Sequence, residues 1–265
     1  MTSAAEKVCL SIAGLDPSGG AGMLADIKTF QRFNCYGAAA VTSITFQNTV
    51  GVFGARHVSG KDLNAQLQPI FDDIEVAACK TGMLPTAETI EITASILNEH
   101  NVKLLVVDPV VRSTSGFDLI DDEALRMLVA RLFPLAALVT PNIPEAERIT
   151  QIRIEKVSDI HAAAKKMIEM GAANVLIKGG HAIAEDDPAS SIDRLYSDSG
   201  VREFIAGRIS TTATHGTGCV LSAAITSNLA LGYGIEDAIS IAKEYLSEAI
   251  RTAPMFGRGH SPVNI

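Results

Sequence analysis

The feature that most constrains this chain is an alternation of two periods. Short runs rich in Val, Ile and Ala occur at Val8–Ala13, Ala38–Thr45, Val76–Thr81, Leu104–Asp108, Ala137–Thr140 and Val175–Lys178. Amphipathic helical patterns fall between them at Gly22–Phe33, Lys61–Asp73, Ala87–Glu99, Asp122–Leu132 and Asp159–Glu169. A strand that is apolar on both faces must be covered on both, and strands separated by helices pair in parallel. Near the end the rhythm changes: Ile192–Tyr196 and Arg202–Ile205 flank Asp198-Ser199-Gly200, the pattern of a hairpin. Helical stretches at Thr217–Leu231 and Ile235–Arg251 close the chain. The expectation is one α/β domain over residues 1–265, a mostly parallel central sheet with helices on both faces.

Composition agrees with a core of that size. The 265 residues are 47% hydrophobic and 20% charged, and no apolar run approaches the ~20 residues of a membrane span. The first residues lack the basic-then-apolar layout of a secretory leader. Net charge is −8 without a basic cluster, which argues against nucleic acid as a partner and requires any anion to be bound by local devices. Cys9, Cys35, Cys79 and Cys219 form no C-x-x-C pair, as expected of reduced thiols in a cytoplasmic protein.

In sheets of this kind ligands gather beyond the carboxyl ends of the strands, and several unusual residues fall there. His215-Gly216-Thr217-Gly218-Cys219 opens a helix with glycines, so unpaired N–H groups and the helix dipole make an anion site. Cys219 at this mouth is expected to ionise more easily than the usual ~8.5, and reads as a nucleophile, as a base beside a transferred phosphoryl, or as a small helix-start residue. Gly14-Leu15-Asp16-Pro17-Ser18-Gly19-Gly20-Ala21-Gly22 fits neither a P-loop nor a dinucleotide fingerprint. It is either a phosphate cradle or a tight turn. Asp26, one turn further on, could cap the helix or accept from a ligand amine. Asp108 ends a strand and is a candidate for Mg²⁺; Glu145 could join it or simply complement a helix dipole. Lys178, before Gly179-Gly180-His181, suits nucleotide phosphates but also reads as an exposed strand-end lysine.

Taken in order, Asp16 to Gly22, Gln47-Asn48-Thr49, Lys80-Thr81-Gly82-Met83-Leu84, Asp108-Pro109-Val110, Lys178-Gly179-Gly180-His181 and Gly216-Thr217-Gly218-Cys219 resemble the hydroxymethylpyrimidine/phosphomethylpyrimidine kinases of the ribokinase-like superfamily. The resemblance runs from about Val8 to Asn264. It implies a ribokinase-like three-layer sandwich and ATP-dependent phosphorylation of 4-amino-5-hydroxymethyl-2-methylpyrimidine, then of its monophosphate, in thiamine diphosphate biosynthesis. Pyridoxal kinase of the same fold is the alternative. Gly14, Asp26, Gln47, Met83 and Val110 would line the pyrimidine pocket. Gly216, Thr217, Gly218 and Cys219 would surround the transferred phosphoryl, Asp108 and Glu145 would serve Mg²⁺, and Lys178 would serve ATP. A homodimer with no membrane partner is also implied. Thr114 stands where many relatives carry a lysine, which puts the second phosphorylation in question unless Arg112 substitutes.

Overall fold

The computed structural model describes residues 7–112, 116, 118–181 and 183–265. Thr114 lies outside them. Strands β1 (Val8–Leu15), β2 (Tyr36–Gln47), β3 (Val52–His57), β4 (Val76–Thr81), β5 (Leu105–Val107), β6 (Leu138–Val139), β7 (Val175–Ile177), β8 (Ser190–Ser197) and β9 (Gly200–Gly207) form one sheet in the order β3-β2-β1-β4-β5-β6-β7-β8-β9. The six strands from β2 to β7 in that order are mutually parallel, whereas β3 at one edge and β8–β9 at the other are antiparallel. The helices are α1 (Gly22–Arg32), α2 (Gly60–Asp73), α3 (Ala87–Glu99), α4 (Asp122–Leu132), α5 (Ile143–Thr150), α6 (Val157–Glu169), α7 (Thr217–Ala230) and α8 (Ile235–Arg251).

Side chains alternate across a strand, so each parallel strand feeds two cores. Leu105 and Val107 of β5 join Leu63, Ile90 and Leu128 from α2, α3 and α4. Val106 between them joins Leu221, Ile225 and Ile239 from α7 and α8 on the opposite face. That division makes three layers. Helix α7 is buried without interruption from Val220 to Ala230, as expected for a helix apolar all round.

The hairpin and both closing helices lie where the sequence places them. Two elements do not follow from periodicity. Strand β3 carries Gly54 and ends in Arg56-His57, so it lacks an apolar alternation; its pairing to β2 as a partly exposed edge creates it. Helix α5 has too few turns for a pattern to show, but a capping box between Asn142 and Glu145 starts it.

The helix starts bear on function. Helices α2, α3, α4 and α5 each have a side chain capping the first turn, from Ser59, Thr86, Asp121 and Asn142. At α7 the N-cap is Gly216 in the left-handed conformation (φ 81°), with no side-chain cap. The Thr217 N–H turns back to the Thr214 carbonyl (3.4 Å), whereas those of Gly218 and Cys219 have no acceptor four residues back and are available to an anion.

Candidate active site

Because β1, β4, β5, β6 and β7 are parallel, their carboxyl ends deliver Gly14, Gly82-Met83, Asp108, Asn142 and Lys178 to one side of the sheet. These residues line a cavity of about 940 Å³, which Gln47, Val110, Glu145 and the loop from Gly216 to Cys219 complete. A second cavity of about 630 Å³ adjoins it and shares Asn142, Lys178, Thr217 and Gly218. The two spaces meet at the open end of α7.

Three charged residues face that end. Lys178 Nζ is 2.8 Å from Asp108 Oδ1 and 3.8 Å from Glu145 Oε2. A Cβ on Gly218 would stand 3.3 Å from that ammonium and 3.7 Å from Asp108 Oδ2, so both charges lie directly against the anion loop. Thr140 and Ser222 hydroxyls also donate to Asp108. Burial opposes its charge, but Lys178 and Lys80 outweigh that and hold the carboxyl below its ordinary value. For Glu145 burial dominates, and with the Asp108 charge adding to it the carboxyl is pushed up to about 7.

Two expectations need correction. Cys219 does not gain acidity from the helix start: burial, reinforced by Asp26 and Asp108, pushes its thiol up to about 11, against the opposing pull of Lys80 and of a Gly22 N–H directed at the sulfur. Desolvation outweighs the dipole here. Asp26 does not line the cavity. Its carboxylate lies beneath the wall, fully buried, with Lys80 Nζ 2.8 Å from both oxygens and the Ser11 hydroxyl 2.6 Å from Oδ2. Those three hydrogen bonds, from two donors, occupy acceptor sites that a ligand amine would use.

The glycine-rich loop after β1 resolves toward its structural reading. The Asp16 carboxylate accepts from the backbone N–H groups of Ser18 and Ala21 (2.8 and 2.9 Å), so those donors face inward. His215 Nε2, 2.7 Å from Asp16 Oδ2, locks this loop to the anion loop. Gly216 packs against Gly20 so closely that a Cβ there would overlap the Gly20 carbonyl oxygen.

The structure therefore brings Gly14, Gln47, Met83, Val110, Asp108, Glu145, Lys178 and residues 216–219 to one cavity. The sequence reading quoted Lys80 in a motif but gave it no role; it has the polarity of a surface residue and lies in a strand whose other residues are apolar or small. A lysine inside such a run was the available signal, since a buried one demands a carboxylate partner. It also missed the support of the second cavity. There the Gly179 N–H donates to Asp193 (2.7 Å), Lys243 pairs with Asp193 (2.7 Å), and Arg208 donates to the Gly179 and Gly180 carbonyls.

The family model for phosphomethylpyrimidine kinase matches residues 16–264. The chain belongs to the phosphomethylpyrimidine kinase family. A hydroxymethylpyrimidine/phosphomethylpyrimidine kinase of Haemophilus influenzae is 41% identical over 97% of this chain and 96% of its own length. A bifunctional thiamine biosynthesis protein of Geobacter sulfurreducens is 46% identical over 96% of this chain; the chain spans about half (51%) of that relative's length. Among solved structures, an ADP complex of Bacillus subtilis pyridoxal kinase superposes with a TM-score of 0.89 at 36% identity, over 98% of this chain and 97% of that one. The fold is thus the ribokinase-like three-layer sandwich of this family's kinases.

Proposed function

We propose that this family member transfers the terminal phosphoryl of ATP to the hydroxymethyl group of 4-amino-5-hydroxymethyl-2-methylpyrimidine, and then to the monophosphate so formed. The observation that carries this is the meeting of two cavities at one anion loop. The first, with Gln47 as an amide partner for an aminopyrimidine edge and Met83 and Val110 as apolar faces, suits the acceptor. The second, beyond Lys178 and Gly218, suits the nucleotide. An acceptor oxygen and a phosphoryl group placed in these spaces meet at Gly216–Cys219, where backbone N–H groups and the Lys178 ammonium would stabilise charge on the phosphoryl oxygens.

Asp108 and Glu145 fit a role in holding Mg²⁺. This ion takes one or two carboxylates and completes its shell with water and phosphate oxygens. Two carboxylates beside the anion loop match that need, and among the described residues no cluster of three ligands is required or present. When bound, Mg²⁺ would neutralise phosphate charge.

Steady-state kcat/KM for the hydroxymethylpyrimidine, its monophosphate and pyridoxal, each with Mg-ATP, tests the reading. Both pyrimidines should exceed pyridoxal by roughly tenfold or more. The high TM-score to a pyridoxal kinase makes that ring the second reading, and pyridoxal leading the series would replace the first.

The two steps place different demands on a base, because the alcohol must lose a proton whereas the phosphate oxygen already carries charge. We assign Cys219 as base for the alcohol alone. With its thiol at about 11, the thiolate fraction rises about tenfold per pH unit below that value. The first step should therefore accelerate from pH 7 to 9, the second should stay flat over that range, and Cys219→Ala should flatten the first and slow it selectively. Equal losses for both steps in this variant would leave the residue only a packing role.

The reading includes a cytoplasmic setting and a homodimer. No described helix is long and apolar enough to cross a membrane. Tyr36, Ile44 and Phe46, on one face of β2, are exposed, and a second copy of the chain would cover them. A monomer mass by light scattering would remove the dimer.

A further inference from the structure

After α8 the chain turns back and packs against loops that border the site. Its last residues are anchored, with Val263 buried among Ala25, Val220 and Ala249, and the Asn264 N–H donating to the Ala249 carbonyl. Between α8 and these anchors, residues 257–262 touch three loops that border the cavity. The His260 N–H donates to the Thr49 carbonyl (2.7 Å), at the turn between Gln47 of β2 and Val52 of β3. The His260 ring nitrogen Nδ1 is 2.9 Å from the Thr214 hydroxyl, just before the anion loop. The Ser261 carbonyl accepts from the His215 N–H (3.2 Å), and Pro262 lies against Gly20, where an added Cβ would stand 2.7 Å from both Pro262 and His215.

The approach to Thr49 is closer than side chains permit. A Cβ on Gly257 would overlap the Thr49 side chain, and one on Gly259 would overlap its carbonyl. Gly257 is also left-handed (φ 79°). Two glycines thus let this segment lie flat on the β2–β3 turn. The turn belongs to the acceptor side of the cavity, and Thr214 belongs to the anion loop. The nucleotide side is held separately, through Asp193, Lys243 and Arg208.

We propose that residues 257–262 are a positioning element of the phosphoryl-transfer site, in which His260 ties the acceptor-side turn at Thr49 to the anion loop at Thr214. The inference rests on the kinase reading above. His260 does not itself line either cavity and acts through Thr214 and Thr49. Its task is registration of acceptor against anion loop, where a misplacement of about 1 Å costs up to 10²-fold.

The test uses the full-length chain with His260→Ala and His260→Asn, the second placing an amide where the ring Nδ1 stands. We expect His260→Ala to lower kcat roughly tenfold or more with the KM for ATP little changed, and His260→Asn to recover most of kcat. Melting temperatures of both variants, measured beside the wild type, separate this from unfolding. Hydrogen–deuterium exchange without substrate gives a second readout: residues 212–220 should lose protection in His260→Ala, whereas 47–52, held by the main-chain N–H that the variant keeps, should change little. Loss of stability without a change in kcat, an Asn variant as slow as the Ala variant, or unchanged exchange in 212–220 would each overturn the proposal. If the wild type phosphorylates neither pyrimidine, the kinase reading fails, and the exchange experiment alone decides whether the His260 ring holds the anion loop.

Discussion

Replacing Lys178 with Met is expected to lower kcat by about 10²–10³, or about 3–4 kcal/mol of transition-state stabilisation. The ammonium lies 2.8 Å from Asp108 and would touch a Cβ on Gly218, so on the proposed reading it stands where phosphoryl charge would develop between the two cavities. Methionine retains the apolar stem and removes only the charge, which isolates the electrostatic contribution. A second effect adds to the first. Without the lysine, Asp108 and Glu145 lose the cation between them, and Glu145, already at about 7, should hold its proton to higher pH. The variant should therefore respond poorly to added Mg²⁺ at neutral pH and better as pH rises. Pre-steady-state turnover with saturating Mg-ATP makes the measurement. A variant within a few-fold of wild type would return Lys178 to an ordinary strand-end residue.

The largest expected effect on stability lies beneath the site. Lys80 and Asp26 are both fully buried, with the ammonium 2.8 Å from each carboxylate oxygen. Burial opposes the charge on Lys80, but Asp26, with Asp108 beyond it, keeps the ammonium charged. Lys80→Met leaves a buried carboxylate without its cation, and breaking such a pair costs about 3–5 kcal/mol. For a chain of this size the melting temperature should fall by on the order of 10 °C. The double variant Lys80→Met, Asp26→Leu should recover much of that loss, because two apolar side chains need no solvation. Denaturant unfolding of the two single variants and the double variant measures the coupling. Single-variant losses below about 1 kcal/mol would mean that water or a shifted proton already compensates the pair.

Much of the site was legible as residue types at strand ends. Asp108 and Lys178 directly follow parallel strands and Glu145 lies in the helix after one, and a parallel sheet could be read from strands apolar on both faces; the Gly-Thr-Gly-Cys start of α7 was legible from its glycines alone. Asp26 shows where that reasoning stops. One helical turn past a glycine loop is consistent with a cavity wall or with the floor below it, and only the position of Lys80, 54 residues later, decides between them. Cys219 shows a second limit. A helix start favours the thiolate, but the sign of the net shift depends on how much protein covers the sulfur, which no local pattern encodes.

The sequence by itself determined most of the elements, β3 and α5 excepted, their parallel order of delivery and the chemical inventory at one end of the sheet, because periodicity and capping act among residues a few positions apart. The tertiary structure decided the pairings: Lys80 on Asp26, His215 on Asp16 across 199 positions, Lys178 on Asp108, and His260 between Thr49 and Thr214. Each of these depends on which strands and loops become neighbours. In a low-dielectric interior, those neighbours set whether a group is charged, capped or free to meet a ligand.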